Sequence, residues 1–192
     1  KFKINEINRI LPFYDQDIIE DDQARFLHVK IKNINLICLY LPNGNPAPGP
    51  KYDYKINWMK RLIKYTEDIY DKNEPLILGG DFNVIQEDID CYDISKWHDD
   101  ALYLEKTRRH MKELINIGLI DSYRLKYPNL KEYSFWDYQA GAWQKDNGIR
   151  IDFFLISPEI VDILSDVGID KIPRGQEKPS DHTPIWIEIE KF

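Results

Sequence analysis

Two apolar runs stand near the front of the chain, ARFLHVKI at 24–31 and INLICLYL at 34–41. Both are rich in β-branched and large apolar residues, which predicts strands, and the Lys32–Asn33 pair between them predicts a hairpin. PNGNPAPGP (42–50) cannot continue a strand or a helix and is read as a loop. From 54 to 70 the period changes. Ile56, Met59, Leu62, Ile63, Thr66 and Ile69 fall three and four apart, the spacing of one helix face. PLILGG (75–80) reads as a buried strand. Residues 99–117 carry a second helical pattern, with Gly118 as the residue that closes it. Further strands are predicted at 133–136, 149–156, 167–169 and 185–189. A short helix is predicted from Ser157-Pro158 to Leu164, with serine at the N-cap and proline at the first helical position. Strands dominate, helices are interspersed, and the first strand pair is antiparallel. The fold class is therefore α/β, with sheets in layers. No linker divides the chain, so a single domain over 1–192 is expected.

Composition narrows the picture only a little. The chain of 192 residues, 43% hydrophobic and 31% charged, is large enough for a core of its own. No apolar run approaches the ~18 residues of a membrane span, so no membrane partner is expected. KFKINE at the start is broken by charge and is no signal peptide. It lacks an initiator Met, which leads us to expect a start inside a longer gene product. Cys38 and Cys91 form neither a disulfide framework nor a metal pattern. Cys38 lies in an apolar run and reads as a reduced core residue, which suits a cytoplasmic protein. The net charge of −7 argues against non-specific binding to nucleic acid, which depends on neutralising phosphates. It says nothing about a local patch, and a site for a divalent cation is itself acid-rich.

Four strand ends carry polar side chains. Tyr40 and Asn43 flank the end of INLICLYL, and Asp81 and Asn83 follow LILGG. Arg150 and Asp152 interrupt the apolar GIRIDFFL, and Ser180-Asp181-His182 precedes the last strand. Each has an ordinary reading. Asp81 and Asn83 suit an Asx turn, Asp152 suits an ion pair with Arg150, Asp181-His182 suits a turn, and Tyr40 suits a rim aromatic. Together they also make the set that phosphodiester hydrolysis needs. That reaction calls for an activated water, stabilised phosphoryl oxygens and help for the leaving oxygen. Carboxylates are hard ligands for a cation, a histidine held by a carboxylate manages charge, and asparagine donates to an oxyanion. Spacing alone does not show that the four places meet.

GGDFNV (79–84), YLPNGNPAPGPKYDYKINWM (40–59), YSFWDYQAGAWQKDNGIRIDFFL (133–155) and EKPSDHTPIW (177–186) together resemble the exonuclease III family of abasic-site DNA-repair endonucleases. This is a branch of the endonuclease/exonuclease/phosphatase superfamily. The GDxN and SDH motifs are shared across the superfamily, whereas the YLPNG loop and the FWDYQAG…GIRID block are specific to the repair branch. The resemblance implies a four-layer α/β sandwich of two packed sheets with outer helices. It implies a Mg²⁺- or Mn²⁺-dependent phosphodiesterase acting on double-stranded DNA at abasic sites or 3′ ends, monomeric when complete. Asp81 resembles the residue that orients or deprotonates the attacking water, with Asn83 as its partner at the transition state. His182 resembles the histidine at the scissile phosphate, and Asp152 the carboxylate that holds it. Asp181 matches a metal-ligand position, and in a two-metal reading Asp81, Asn83 and His182 become ligands as well. Tyr40 and Asn43 match phosphate contacts near the leaving group. Phe135, Ile149 and Ile151 fall where the family lines the pocket for a base-less sugar, and Gln139 falls where a loop presses into the DNA groove. An aromatic is common at the Ile149 position.

The chain departs from the family pattern at its front. Members begin with a strand carrying an asparagine and a second strand ending in Leu-Gln-Glu, whose glutamate is the principal metal ligand. Neither is in this sequence, so the sandwich is expected without its N-terminal strands. Two other readings follow: a non-catalytic DNA-binding or dimerising remnant, and a superfamily phosphoesterase acting on an inositol phosphate or lipid head group. The FWDYQAG…GIRID block speaks against the last of these.

Overall fold

The structure, a computed structural model, describes residues 2–14, 21 and 23–190. Strands β1 (Ile4–Asn8), β2 (Phe26–Ile31) and β3 (Ile34–Tyr40) form an antiparallel meander, and helix α1 (Pro50–Tyr70) carries the chain into β4 (Leu76–Asp81), parallel to β3. Then come α2 (Glu105–Asn116), β5 (Ile120–Asp121), α3 (Ser122–Lys126), β6 (Asp152–Ile156), α4 (Pro158–Val161), β7 (Leu164–Ile169) and β8 (Ile185–Ile189). The main sheet has the order β1-β2-β3-β4-β6-β5, and β7 and β8 pair in a second sheet.

Side-chain alternation explains the layers. In β3 and β4, Ile37, Leu39, Leu76 and Leu78 point to one side, where they meet Ile56, Met59, Leu62 and Ile69 of α1 and Met111 and Leu114 of α2. Ile34, Leu36 and Ile77 point to the other side, against Leu164, Ile187 and Ile189 of the second sheet. β6 divides likewise, with Phe153 and Leu155 towards the helices and Phe154 and Ile156 towards β7 and β8. Each such side chain stabilises the fold by about 1.5–3 kcal/mol when fully buried. The result is the expected sandwich of two facing sheets with helices outside. Among the described residues, no helix is long and apolar enough to cross a membrane.

Several elements differ from expectation for local reasons. α2 starts at Glu105 rather than at 99, because side chains bind the backbone ahead of it. Asn45 Oδ1 accepts from Ala101 N at 3.0 Å, and Asp100 Oδ1 accepts from Leu102 N at 2.8 Å. Residues 133–136 and 149–151 are held by isolated bridges, Phe135 to Ile149 and to His182 and Cys91 to Ile149, rather than forming strands. α4 ends at Val161. Ser157 occupies its N-cap position, but its hydroxyl accepts from Leu76 N at 3.1 Å and so ties the helix to β4 instead of capping it. Cys38 is exposed, not buried. It lies on the face of β3 that carries Ile34 and Leu36, beyond the reach of the two-stranded sheet. β5 and α3 are too short to show a period.

One polar chain runs through the helix side of the sheet. Asn35 Nδ2 donates to Glu74 at 2.8 Å, which turns Oδ1 towards His28 Nε2 at 3.0 Å. In the neutral ring His28 Nδ1 then accepts from the Tyr65 hydroxyl, 2.7 Å away. Burial lowers the His28 pKa below 6.5, aided by the charge of Lys30, although the Asn35 bond opposes the shift. Folded His28 thus holds a proton less tightly than unfolded His28. The unfolded state takes up more protons at this residue as the pH falls through the ordinary histidine range, and the contribution of His28 to stability drops there. Between neutral pH and about pH 5 the wild-type thermal midpoint should therefore lose ground relative to that of His28→Gln. Parallel pH profiles in the two proteins would show that His28 makes no such contribution.

Candidate active site

Strand register builds the centre of the site. Tyr40 is opposite Asp81 in the β3–β4 pair, and Asp81 is opposite Asp152 in the β4–β6 pair. Three polar residues, far apart in sequence, therefore lie level in one row. Asp81 is followed by a tight turn in which Asn83 takes φ +49°, a left-handed conformation that asparagine tolerates better than most residues. Asn83 N donates to Asp81 Oδ1 at 2.8 Å, so the Asx turn expected as the ordinary reading is present. The same turn folds the Asn83 side chain back. Its Nδ2 donates to Asp81 Oδ2 at 2.8 Å and to Leu41 O at 2.9 Å, and its Oδ1 accepts from Asn43 Nδ2 at 3.1 Å. A carboxylate and a carbonyl only accept, so the orientation of this amide is fixed.

His182 reaches the row from the loop before β8. Its Nδ1 is 2.9 Å from Asp152 Oδ2, and its Nε2 is 3.9 Å from Asp81 Oδ2. A carboxylate only accepts, so Nδ1 carries the hydrogen and Nε2 faces Asp81. Ser134 Oγ donates to the same Asp152 oxygen at 2.6 Å and accepts from the backbone N of Ile151 and Asp152. Phe135 packs edge-on to the imidazole with ring centroids 5.0 Å apart. Burial, then the charge of Asp152, pushes the Asp81 pKa up to about 7, against the pull of His182 and the Asn83 N–H. Burial pulls His182 down, but the Asp152 hydrogen bond and the charges of Asp152, Asp81 and Asp181 outweigh it, and the net shift is upward.

The other expected residues are distributed around this cluster. Tyr40 is half exposed, with the Arg25 guanidinium 4.7 Å from its ring centre. Asp181 accepts Trp136 N at its carbonyl, and its carboxylate adds to the field at His182. Phe135, Gln139 and Ile149 line a cavity of about 370 Å³, together with Tyr92, Trp97 and Lys145. Ile151 does not line it. It is buried with Ile85, Cys91 and Leu102. The alternative ion pair between Arg150 and Asp152 is absent. Arg150 binds Asp90 at 2.7 Å and Asp121 at 2.8 Å, which leaves Asp152 for His182.

Among the described residues, no group of three or more His, Cys, Asp or Glu side chains could hold a metal ion. Both oxygens of Asp81 are engaged by Asn83. The side chains of Asp81, Asn83, Asp181 and His182 thus make no closed shell by themselves; Mg²⁺ is usually held by one or two carboxylates together with waters and substrate phosphates.

Two residues of the site escaped the sequence reading. Ser134 carried no signal, being one small polar residue in an aromatic stretch. Lys55 did carry one. With Tyr52, Ile56 and Met59 it falls on the buried stripe of α1, where a lysine is out of place.

Fold and site define an α/β sandwich with a carboxylate–imidazole–carboxylate cluster at the ends of its central strands. The family described as Endonuclease/Exonuclease/phosphatase matches residues 7–182, and the chain belongs to that family, in its exonuclease III branch. It is 30% identical over 170 residues to an exodeoxyribonuclease of Bacillus subtilis, an alignment covering 88% of this chain and 65% of the relative. It is 31% identical over 182 residues to exodeoxyribonuclease III of Haemophilus influenzae, covering 88% and 68%. The structure of an AP endonuclease from Archaeoglobus fulgidus superposes with a TM-score of 0.90 at 31% identity, covering 99% of this chain and 72% of that one. The chain thus spans about two thirds of the length of these relatives.

Replacing Asp152 with asparagine removes the charge and the charge-assisted hydrogen bond that hold the imidazolium. The His182 pKa, followed by NMR titration, should fall below its wild-type value. An unchanged titration would show that Asp152 does not govern the ring.

Proposed function

We propose that this chain is the catalytic part of a phosphodiesterase of DNA base-excision repair, of the exodeoxyribonuclease III type. It would cut double-stranded DNA at abasic sites and remove nucleotides from 3′ ends. The observation that carries the proposal is the Asp81–His182–Asp152 cluster at the level ends of β4 and β6. The names of the relatives, exodeoxyribonucleases and an AP endonuclease, support the same reading.

Asp81, with a pKa near neutrality, is suited to take a proton from an attacking water at physiological pH. Asn83 keeps its carboxylate aimed. His182, its Nδ1 hydrogen directed at Asp152, offers Nε2 to the phosphoryl group, and the raised pKa keeps more of the ring in the cationic form that offsets oxyanion charge. Tyr40 and Asn43, at the β3 end of the row, are assigned to the phosphate near the leaving oxygen. A base-less sugar flips out readily because nothing stacks there. The cavity behind Phe135 and Ile149 is its proposed seat, with Gln139 at the rim. The cofactor of the proposal is Mg²⁺ or Mn²⁺, which would supply charge stabilisation of the phosphoryl oxygens. Because the described residues do not make its shell, no step above is routed through it.

A duplex with one abasic analogue tests the reading. Nicking is expected in Mg²⁺ or Mn²⁺ and none with chelator. Asp81→Asn and His182→Asn should each lower the rate by about 10²–10⁴-fold. Phe135→Ala should lower the preference for abasic over intact DNA more than the rate itself. Release of phosphate from small esters with no DNA nicking would overturn the proposal.

A further inference from the structure

Lys55 has no exposed surface, although lysine is among the residues least often fully buried. It lies in α1 on the stripe of Tyr52, Ile56 and Met59, and its stem passes beneath the loop that follows β3. Its ammonium donates to Asn83 O at 2.6 Å and to Asn43 O at 3.0 Å. Among the described residues no carboxylate is bonded to it. Its two acceptors are the backbone carbonyls of the two asparagines whose side chains bond each other in the site.

The loop is shaped to this lysine. Gly44, at φ +90°, lies against it, and a Cβ there would come within 2.6 Å of Lys55 Cδ and 3.2 Å of Ala101 Cβ. Only glycine lets the chain turn in the left-handed region and lie this close to the stem. The two carbonyls belong to separate loops, one after β3 and one after β4. One ammonium therefore joins the two strand ends from below, while the paired amides join them from above.

We infer that Lys55 is a positioning residue: its ammonium clamps the backbones of Asn43 and Asn83 so that their amides, and through Asn83 the carboxylate of Asp81, are held in the geometry of the site. Packing alone does not explain a lysine here. A methionine fills a similar volume with no ammonium to desolvate, and burial pulls the lysine pKa down to about 7 despite the charges of Asp100 and Asp81.

The test replaces Lys55 with methionine, which fills the space without donors, and with glutamine, which is shorter and neutral and reaches one carbonyl at most. In protein labelled with ¹⁵N-asparagine, the side-chain amides of Asn43 and Asn83 should be distinct and slow to exchange in the wild type. They should exchange on the order of tenfold faster or more in the methionine variant, and by an intermediate factor in the glutamine variant. On the abasic duplex the single-turnover rate should fall in the same order, on the order of 10²-fold for methionine, as for a catalytic group displaced by about 1 Å. The dissociation constant for DNA should stay within about threefold. Unchanged Asn43 and Asn83 amides in either folded variant would overturn the inference, as would loss of thermal stability with no change in the single-turnover rate. The kinetic arm rests on the phosphodiesterase reading. If wild-type protein fails to cut, that reading fails, and the amide measurement still decides the role of Lys55.

Discussion

Two carboxylates on neighbouring strands face one imidazole, and the rest of the site is arranged around that opposition. Asp81 and Asp152 are register partners, and like charges directly opposite on a sheet destabilise each other. Burial first, and this repulsion second, raise the pKa of Asp81. The repulsion is contained by separate sets of partners. Asp81 takes the backbone and side-chain N–H groups of Asn83, while Asp152 takes Ser134 and His182. Asp81 is left able to bind a proton near neutrality, and Asp152 holds the ring. This division of labour follows from environment, since the two residues are chemically the same.

A second ionic cluster stands behind the first. Arg150 and Asp90 are fully buried, and Arg150 reaches Asp121 while Asp90 also takes Arg124. Buried ion pairs contribute little net stability compared with apolar packing, but removal of one partner leaves an uncompensated charge and costs about 3–5 kcal/mol. The consequence here is geometric. Arg150 N also donates to Asp90 O at 2.8 Å, so the 88–91 turn is pinned to the segment that leads into Asp152. The irregular approach to β6, held by bridges and not by a full ladder, gets its definition from this cluster.

The sequence showed the layers well and the joints poorly. Alternation in INLICLYL and PLILGG, and the three-and-four spacing of α1, were enough for the central strands and the main helix, because burial on both faces leaves a dense pattern. Motifs brought out Asp81, Asn83, Asp152 and His182. What did not show was anything set by a single side chain across a long gap in sequence. Asn45 and Asp100 delay α2, Ser134 replaces a ladder with hydroxyl bonds, and Arg150 chooses Asp90 over Asp152, two positions away. None of these has a period. Cys38 was misread for the opposite reason. Its run is apolar throughout, but the second sheet covers only the Ile34 end of that face.

Asn83 shows how the geometry refines a role drawn from a motif. As a partner of the transition state it would donate an N–H to a phosphoryl oxygen, yet both of its amide hydrogens are already engaged, one by Leu41 O and one by Asp81. To donate elsewhere it would have to release one of them, and a buried carbonyl left without its donor costs about 1–3 kcal/mol. Its amide oxygen is occupied too, by Asn43. The residue therefore acts through Asp81, whose two oxygens it fixes from the backbone and from the side chain. The residues left to meet a developing oxyanion are then the ring of His182 at one end of the row and, at the other, the phenol of Tyr40 and the second amide hydrogen of Asn43, whose first goes to Asn83, with Asp81 between them where a water must be activated.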